Sequence, residues 1–172
     1  QYADQIKEVV IQQGVKSVGS YAFGSCTALE KVTIAEGVTR IDNDAFSGCE
    51  ALTDITIPGS VQIIDDRTFK NCKSLVEIII PEGVISIGEW TFEECESLAS
   101  ITIPESLVSV GYDAFIWCYR LSNVHYAGTE EQWESIDIDD GNDDLRNAYI
   151  HYGSTGSMIE WEYANGVLTI SG

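Results

Sequence analysis

Residues 44–58, DAFSGCEALTDITIP, place a phenylalanine three residues before a cysteine, a leucine three residues after it, and an Ile-x-Ile pair ahead of a proline. Shifting the chain by 23 residues in either direction returns the same arrangement, with cysteines at Cys26, Cys49, Cys72, Cys95 and Cys118. Phe23, Phe46, Phe69, Phe92 and Phe115 form one column; Leu29, Leu52, Leu75, Leu98 and Leu121 form another. Val9, Val32, Ile55, Ile78, Ile101 and Val124 align, as do Ile11, Ile34, Ile57, Ile80 and Ile103. Val15, Val38, Val61, Val84 and Leu107, and then Val18, Ile41, Ile64, Ile87 and Val110, complete the pattern. A fixed period of this length marks a repeat architecture in which each unit buries its apolar face on the next.

Within one unit, the Ile-x-Ile core alternates with a period of two, which predicts a short strand with both isoleucines on one face. The return segment spaces Ile41, Ala45 and Cys49 four apart with Phe46 beside them, which predicts one or two helical turns. The expected fold is an α/β solenoid, a right-handed coil with a parallel β-sheet on one face and short helical returns on the other. Pro58, Pro81 and Pro104 close the strand, where a missing N–H costs little.

The repeat covers residues 1–125, and residues 126–152 read as a C-terminal cap for its open apolar end. Thr129 with Gln132 forms a capping box, Glu130 and Glu131 suit a helix N-terminus, and Trp133 and Ile136 supply an apolar face. Asn142 is a second candidate N-cap, and YIHY returns the chain as a strand. Residues 153–172 read as a β-hairpin about Asn165-Gly166, folded on the cap or opening a further module.

Five regularly spaced cysteines suggest disulfides or a metal, yet stacked coils hold their side chains parallel, and no C-x-x-C pair is present. The expected role of Cys26, Cys49, Cys72, Cys95 and Cys118 is a reduced packing ladder. The acidic run Asp137, Asp139, Asp140, Asp143 and Asp144 fails the EF-hand template, because aligning Gly141 puts Ile136 and Ile138 at ligand positions; a solvated turn is preferred to weak calcium binding. No cofactor is expected.

The chain has 172 residues, 44% hydrophobic and 22% charged, which suits a globular class with a real core. It carries no apolar run of membrane-spanning length and no N-terminal signal pattern, so the start at Gln1 reads as mature or trimmed sequence. A net charge of −19 repels phosphate backbones and anionic lipid, so nucleic acid and direct membrane insertion are not expected.

The unit AFSGCEALTDITIPGSVQIID resembles the BspA-like, or Treponema-type, leucine-rich repeat, and the likeness extends over residues 1 to 126. Residues 124–153 resemble the segment that closes such arrays in proteins of gut Gram-positive anaerobes, and residues 161–172 resemble the opening hairpin of a module found in the same proteins. The departures are Gln12 and Ala35 in place of proline and Thr68 and Thr91 in place of alanine. The resemblance implies a secreted or surface-anchored bacterial protein, with some relatives associated with adherence to host matrix proteins such as fibronectin and fibrinogen. It implies no catalytic residues.

Residues that alternate outward along the strands offer a candidate binding face. One row holds Glu8, Lys31, Asp54, Glu77, Ser100 and Asn123; the next holds Val10, Thr33, Thr56, Ile79, Thr102 and His125. An open solenoid sheet is a natural platform for a protein or glycan partner; the resemblance implies host matrix or mucosal proteins as the class. Trp90 is a candidate exposed aromatic contact, whereas Ile116, Trp117 and Tyr119 are expected to face the Trp133 segment. His125 and His151 read as structural residues, and an enzyme would need a compact polar site around one of them. The functional expectation is a monomeric, non-enzymatic adhesion or display module, extracellular or on the cell surface; the alternative is a structural spacer with no ligand of its own.

Overall fold

A computed structural model describes residues 3–153 and the backbone of residues 160–164 and 167–171. The repeats form six coils, each contributing a longer strand, followed in the first five by a two-residue strand. In chain order these are β1 (Glu8–Ile11) and β2 (Ser17–Val18), β3 (Lys31–Ile34) and β4 (Arg40–Ile41), β5 (Asp54–Thr56) and β6 (Ile63–Ile64), β7 (Glu77–Ile79) and β8 (Ser86–Ile87), β9 (Ser100–Ile103) and β10 (Ser109–Val110), and β11 (Asn123–Tyr126). Beyond them follow α1 (Glu130–Glu134), β12 (Asp137–Ile138), α2 (Asp143–Asn147) and β13 (Tyr149–Tyr152).

The longer strands pair in parallel at the sequence period, β1 to β5 in one run and β7 to β13 in another, with Lys31 beside Asp54 and Ser100 beside Asn123, for example. The even-numbered strands make a second parallel sheet, in which Ile41 lies beside Ile64 and Ile64 beside Ile87. Residues 127–153 continue both sheets, because β12 pairs with β10 and β13 with β11. The expected parallel solenoid is therefore present, with Val32, Ile34, Val38, Ile41, Phe46, Cys49 and Leu52 and their counterparts in one core.

The helical returns are not. Among the described residues the segments between the second strand and the cysteine are turns, without a helix. Their apolar spacing of four arises from left-handed residues placed four apart, as at Asp44 (φ 57°) and Gly48 (φ 74°). The same two positions are left-handed in every repeat, at Tyr21, Ser25, Arg67, Asn71, Trp90, Glu94, Asp113 and Trp117. Such residues turn alternate N–H groups along the solenoid axis: Asp44, Phe46 and Gly48 donate to the carbonyls of Asp66, Thr68 and Lys70 one coil on. The N–H groups of Ala45, Ser47 and Cys49 close turns within the coil. A third inter-coil ladder thus replaces the helix, and it satisfies the backbone as a helix would have done.

This ladder explains the recurring side chains. The phenylalanines stack with ring centroids 5.0–5.7 Å apart. All five cysteines are free, and each thiol from Cys49 to Cys118 donates to the phenylalanine carbonyl of the preceding coil at 3.2–3.4 Å. Burial raises the Cys49 thiol to about 12 and also pushes Cys72, Cys95 and Cys118 well above the ordinary thiol range. Thr68 and Thr91, which stand in place of alanine, donate to the Asp65 and Gly88 carbonyls at 2.7 Å and so bury no unmet hydroxyl.

Helix α1 carries the expected capping box: Thr129 Oγ1 accepts from Gln132 N–H, and the Gln132 side chain accepts from Thr129 N–H at 2.8 Å. Asn142 does not cap α2 with its side chain. Fully buried, it accepts from Phe115 N–H at 3.0 Å and donates to the carbonyls of Gly111 and Asp139. Strands β14 (Glu160–Ala164) and β15 (Val167–Ser171) pair antiparallel with Ala164 opposite Val167. The Asn165-Gly166 turn itself lies outside the described residues.

Candidate functional site

The outward rows of the first sheet follow from strand alternation. Val32 and Ile34 point into the core and Thr33 between them points out; Ile78 and Ile80 point in, and Ile79 is 58% exposed. Lys31, Asp54, Thr56 and Glu77 are exposed, and Thr33, Ser100, Asn123 and His125 are half-buried. Thr102 departs from the expectation. It is only 8% exposed, held between Ile79 and His125 in the strand register, and offers little to a partner.

Charge is organised by the period. Lys31 Nζ meets Asp54 at 2.8 Å across neighbouring strands, and this carboxylate raises the ammonium's proton affinity. Glu77, one coil further, enters no ion pair among the described residues.

The ladder of the first sheet is interrupted between these carboxylates. Strands β1, β3 and β5 form one sheet and β7, β9, β11 and β13 another, with no pairing between β5 and β7. Thr53 and Asp54 N–H both donate to the Glu30 carbonyl, and Ala99 and Ser100 N–H to that of Val76; no corresponding bonds run from Val76 and Glu77 to Thr53. The second sheet and the turn ladder remain continuous at the same coils, through Ile63 beside Ser86 and Phe69 N–H on the Thr91 carbonyl. The result is a cleft of about 280 Å³, open on the sheet face and lined by Thr53–Ile57 and Glu77–Ile79. Ile55 is half-buried there, whereas Val32 and Ile101 at equivalent positions are fully buried. The sequence contains no mark of this break, since the strand residues on both sides obey the repeat.

Trp90 is half-buried, not an exposed anchor. The Arg67 guanidinium lies 5.7 Å from its ring centre and Tyr112 meets it edge-on at 6.1 Å, while Arg67 also reaches Asp44 at 3.1 Å. Trp117 and Tyr119 do not face the Trp133 segment, whose ring packs on Tyr126; both are exposed. His125 and His151 are brought together, with rings stacked 4.7 Å apart, Asn123 Oδ1 3.0 Å from His151 Nε2, and Tyr149 edge-on to His151. Burial and the second imidazole lower the proton affinity of His125. Asp137, Asp139, Asp140 and Asp143 are exposed, and among the described residues no three acidic, cysteine or histidine side chains converge as a metal site would require.

A family model for the BspA-type leucine-rich repeat region matches residues 1–129 in six copies. Among solved structures, a leucine-rich cell surface protein of Faecalibacterium prausnitzii is 35% identical with a TM-score of 0.73 over 78% of this chain. The leucine-rich repeat protein of Treponema pallidum is 32% identical, with a TM-score of 0.67 over 70% of the chain, and one from Bacteroides ovatus is 35% identical, with a TM-score of 0.68 over 73%. The chain spans 35%, 58% and 32% of these three structures. No curated protein matches the sequence.

Proposed function

The chain belongs to the BspA-type leucine-rich repeat family, and we propose that it is a non-enzymatic protein-binding or display module of an extracellular bacterial surface protein. The partner engages the open face of the first sheet, centred on Asp54, Thr56, Glu77 and Ile79. The observation that carries this reading is the cleft between β5 and β7, where a backbone ladder elsewhere continuous leaves carbonyl and N–H groups unpaired beside an unpartnered carboxylate. An open strand edge presents a row of N–H and C=O groups that an extended partner segment can pair with. Location outside the cell is supported by the Faecalibacterium neighbour, described as a cell surface protein. Among the described residues no helix is long and apolar enough to cross a membrane.

Immobilised protein exposed to host matrix and mucus extracts tests this. The wild type should recover the same protein reproducibly, and Glu77→Lys and Thr56→Arg should abolish recovery without lowering the melting temperature. Recovery unaffected by both changes would remove the sheet face as the site, and no reproducible recovery at all would favour a spacer that positions neighbouring domains.

A further inference from the structure

The two columns flanking the cysteines on the turn face change character along the solenoid. Immediately before the cysteine stand Ser25, Gly48, Asn71, Glu94 and Trp117; immediately after it stand Thr27, Glu50, Lys73, Glu96 and Tyr119. Stacking at the period sets Glu94 and Glu96 one coil below Trp117 and Tyr119, and these four side chains line a groove of about 320 Å³. Trp117 is 41% exposed and Tyr119 71% exposed. The ion pairs of this face join Lys70 to Glu93 at 2.6 Å and Lys73 to Glu50 at 3.3 Å, and the Lys73 ammonium also lies in the field of Glu96 and Glu94. Neither Glu94 nor Glu96 enters a salt bridge among the described residues.

Two aromatic rings and two carboxylates lining one groove select a particular chemistry. Ring faces attract a cation through their quadrupole and offer apolar surface to carbon attached to it, while the carboxylates supply full negative charge. A neutral apolar group would leave the acids unmatched. A bare metal ion would leave the rings unused. A net charge of −19 further concentrates cations at the surface.

We propose that this groove is a second binding site, separate from the sheet face, that takes an alkylated ammonium group between Trp117 and Tyr119 with Glu94 and Glu96 as counter-charges. The group is either a free quaternary ammonium ion or the side chain of a methylated lysine.

Titration of the ¹⁵N-labelled chain with tetramethylammonium chloride, at ionic strength held constant with sodium chloride, tests the proposal. Saturable amide shifts are expected around residues 94–96 and 117–120, and uncharged tert-butanol at equal concentration should not reproduce them. Affinity should fall about tenfold in Trp117→Ala and in the Glu94→Gln/Glu96→Gln double variant, and stay unchanged in Glu36→Gln, at an exposed carboxylate outside both sites. Should Trp117→Ala misfold, the double glutamine variant carries the comparison. A short peptide with trimethyl-lysine that binds about tenfold tighter than the free ion assigns the site to protein ligands, and equal affinity assigns it to free ammonium compounds. Absence of saturable shifts, equal response to tert-butanol, or undiminished binding by the double glutamine variant would overturn the site.

Discussion

The side-chain carbonyl of Asn142 accepts the backbone N–H of Phe115 at 3.0 Å, where each preceding phenylalanine donates to a backbone carbonyl in the next coil. The asparagine therefore stands in for the missing repeat, and its amide group donates onward to the Gly111 and Asp139 carbonyls. We propose that residues 126–152 cap the solenoid, with β12, β13 and Asn142 supplying the contacts of a further coil. Asn142→Leu leaves the buried Phe115 N–H without its acceptor and the part-buried Asp139 carbonyl without its Asn142 donor, while the Gly111 carbonyl keeps Ala114 N–H. An unsatisfied buried group costs about 1–3 kcal/mol, so urea unfolding should show a loss of at least about 2 kcal/mol. An unchanged midpoint would mean that Phe115 finds another acceptor.

The cysteine ladder predicts chemical silence. Folded protein should show little or no reaction with a thiol reagent at pH 8, because burial disfavours the thiolate that such reagents require. All five thiols should react once urea unfolds the chain. Any native reaction should begin at Cys26, in the first coil, where burial raises the thiol but no phenylalanine carbonyl precedes it. Prompt labelling of Cys72 or Cys95 would contradict the ladder.

The stacked histidines make stability sensitive to mild acid. The folded state lowers the affinity of His125 for a proton below the ordinary value of 6.5, through burial first and His151 second. Such a group contributes stability that is complete above the unfolded pKa and is lost as pH falls below it. The melting temperature should therefore drop between about pH 7 and 5 more steeply than in His125→Thr, which copies the Thr102 side chain of the preceding coil. Parallel curves for the two proteins would show that the stack is not the titrating element.

Left-handed backbone at fixed columns gives a signed pair of substitutions. Gly48→Ala keeps ordinary contacts, with the new carbon 3.5 Å from Ser25, so its cost is conformational, about 1 kcal/mol. Exposed Ser25→Gly at φ 59° relieves the same strain and should stabilise by about 0.5 kcal/mol after the entropy cost of glycine. Equal and opposite shifts in the urea midpoint are not required, but a stabilising Gly48→Ala would disprove the turn ladder.

The return segments show where sequence reasoning failed and why. Apolar spacing of four at Ile41, Ala45 and Cys49 fits a helix, and it fits equally a turn in which Asp44 and Gly48 invert the backbone. Local spacing cannot separate them, because the choice depends on whether N–H groups bond within the coil or to the next one. A column mixing Tyr21, Asp44, Arg67, Trp90 and Asp113 shows no glycine preference that would have betrayed positive φ. The exposed aromatics Trp117 and Tyr119 stood out as a break in composition, but their orientation away from Trp133 did not.

What the amino-acid order determined alone was the repeat: period, inward columns, strand register and the free thiols all follow from apolar residues recurring every 23 positions, since each coil can bury them only against its neighbour. What the tertiary structure alone decided was the use of the backbone. The turn ladder, the substitution of Asn142 for a backbone carbonyl, and the opening between β5 and β7 depend on hydrogen bonds between groups a full coil or more apart. Main-chain donors and acceptors are the same in every residue but proline, so no side-chain pattern records which of them find partners.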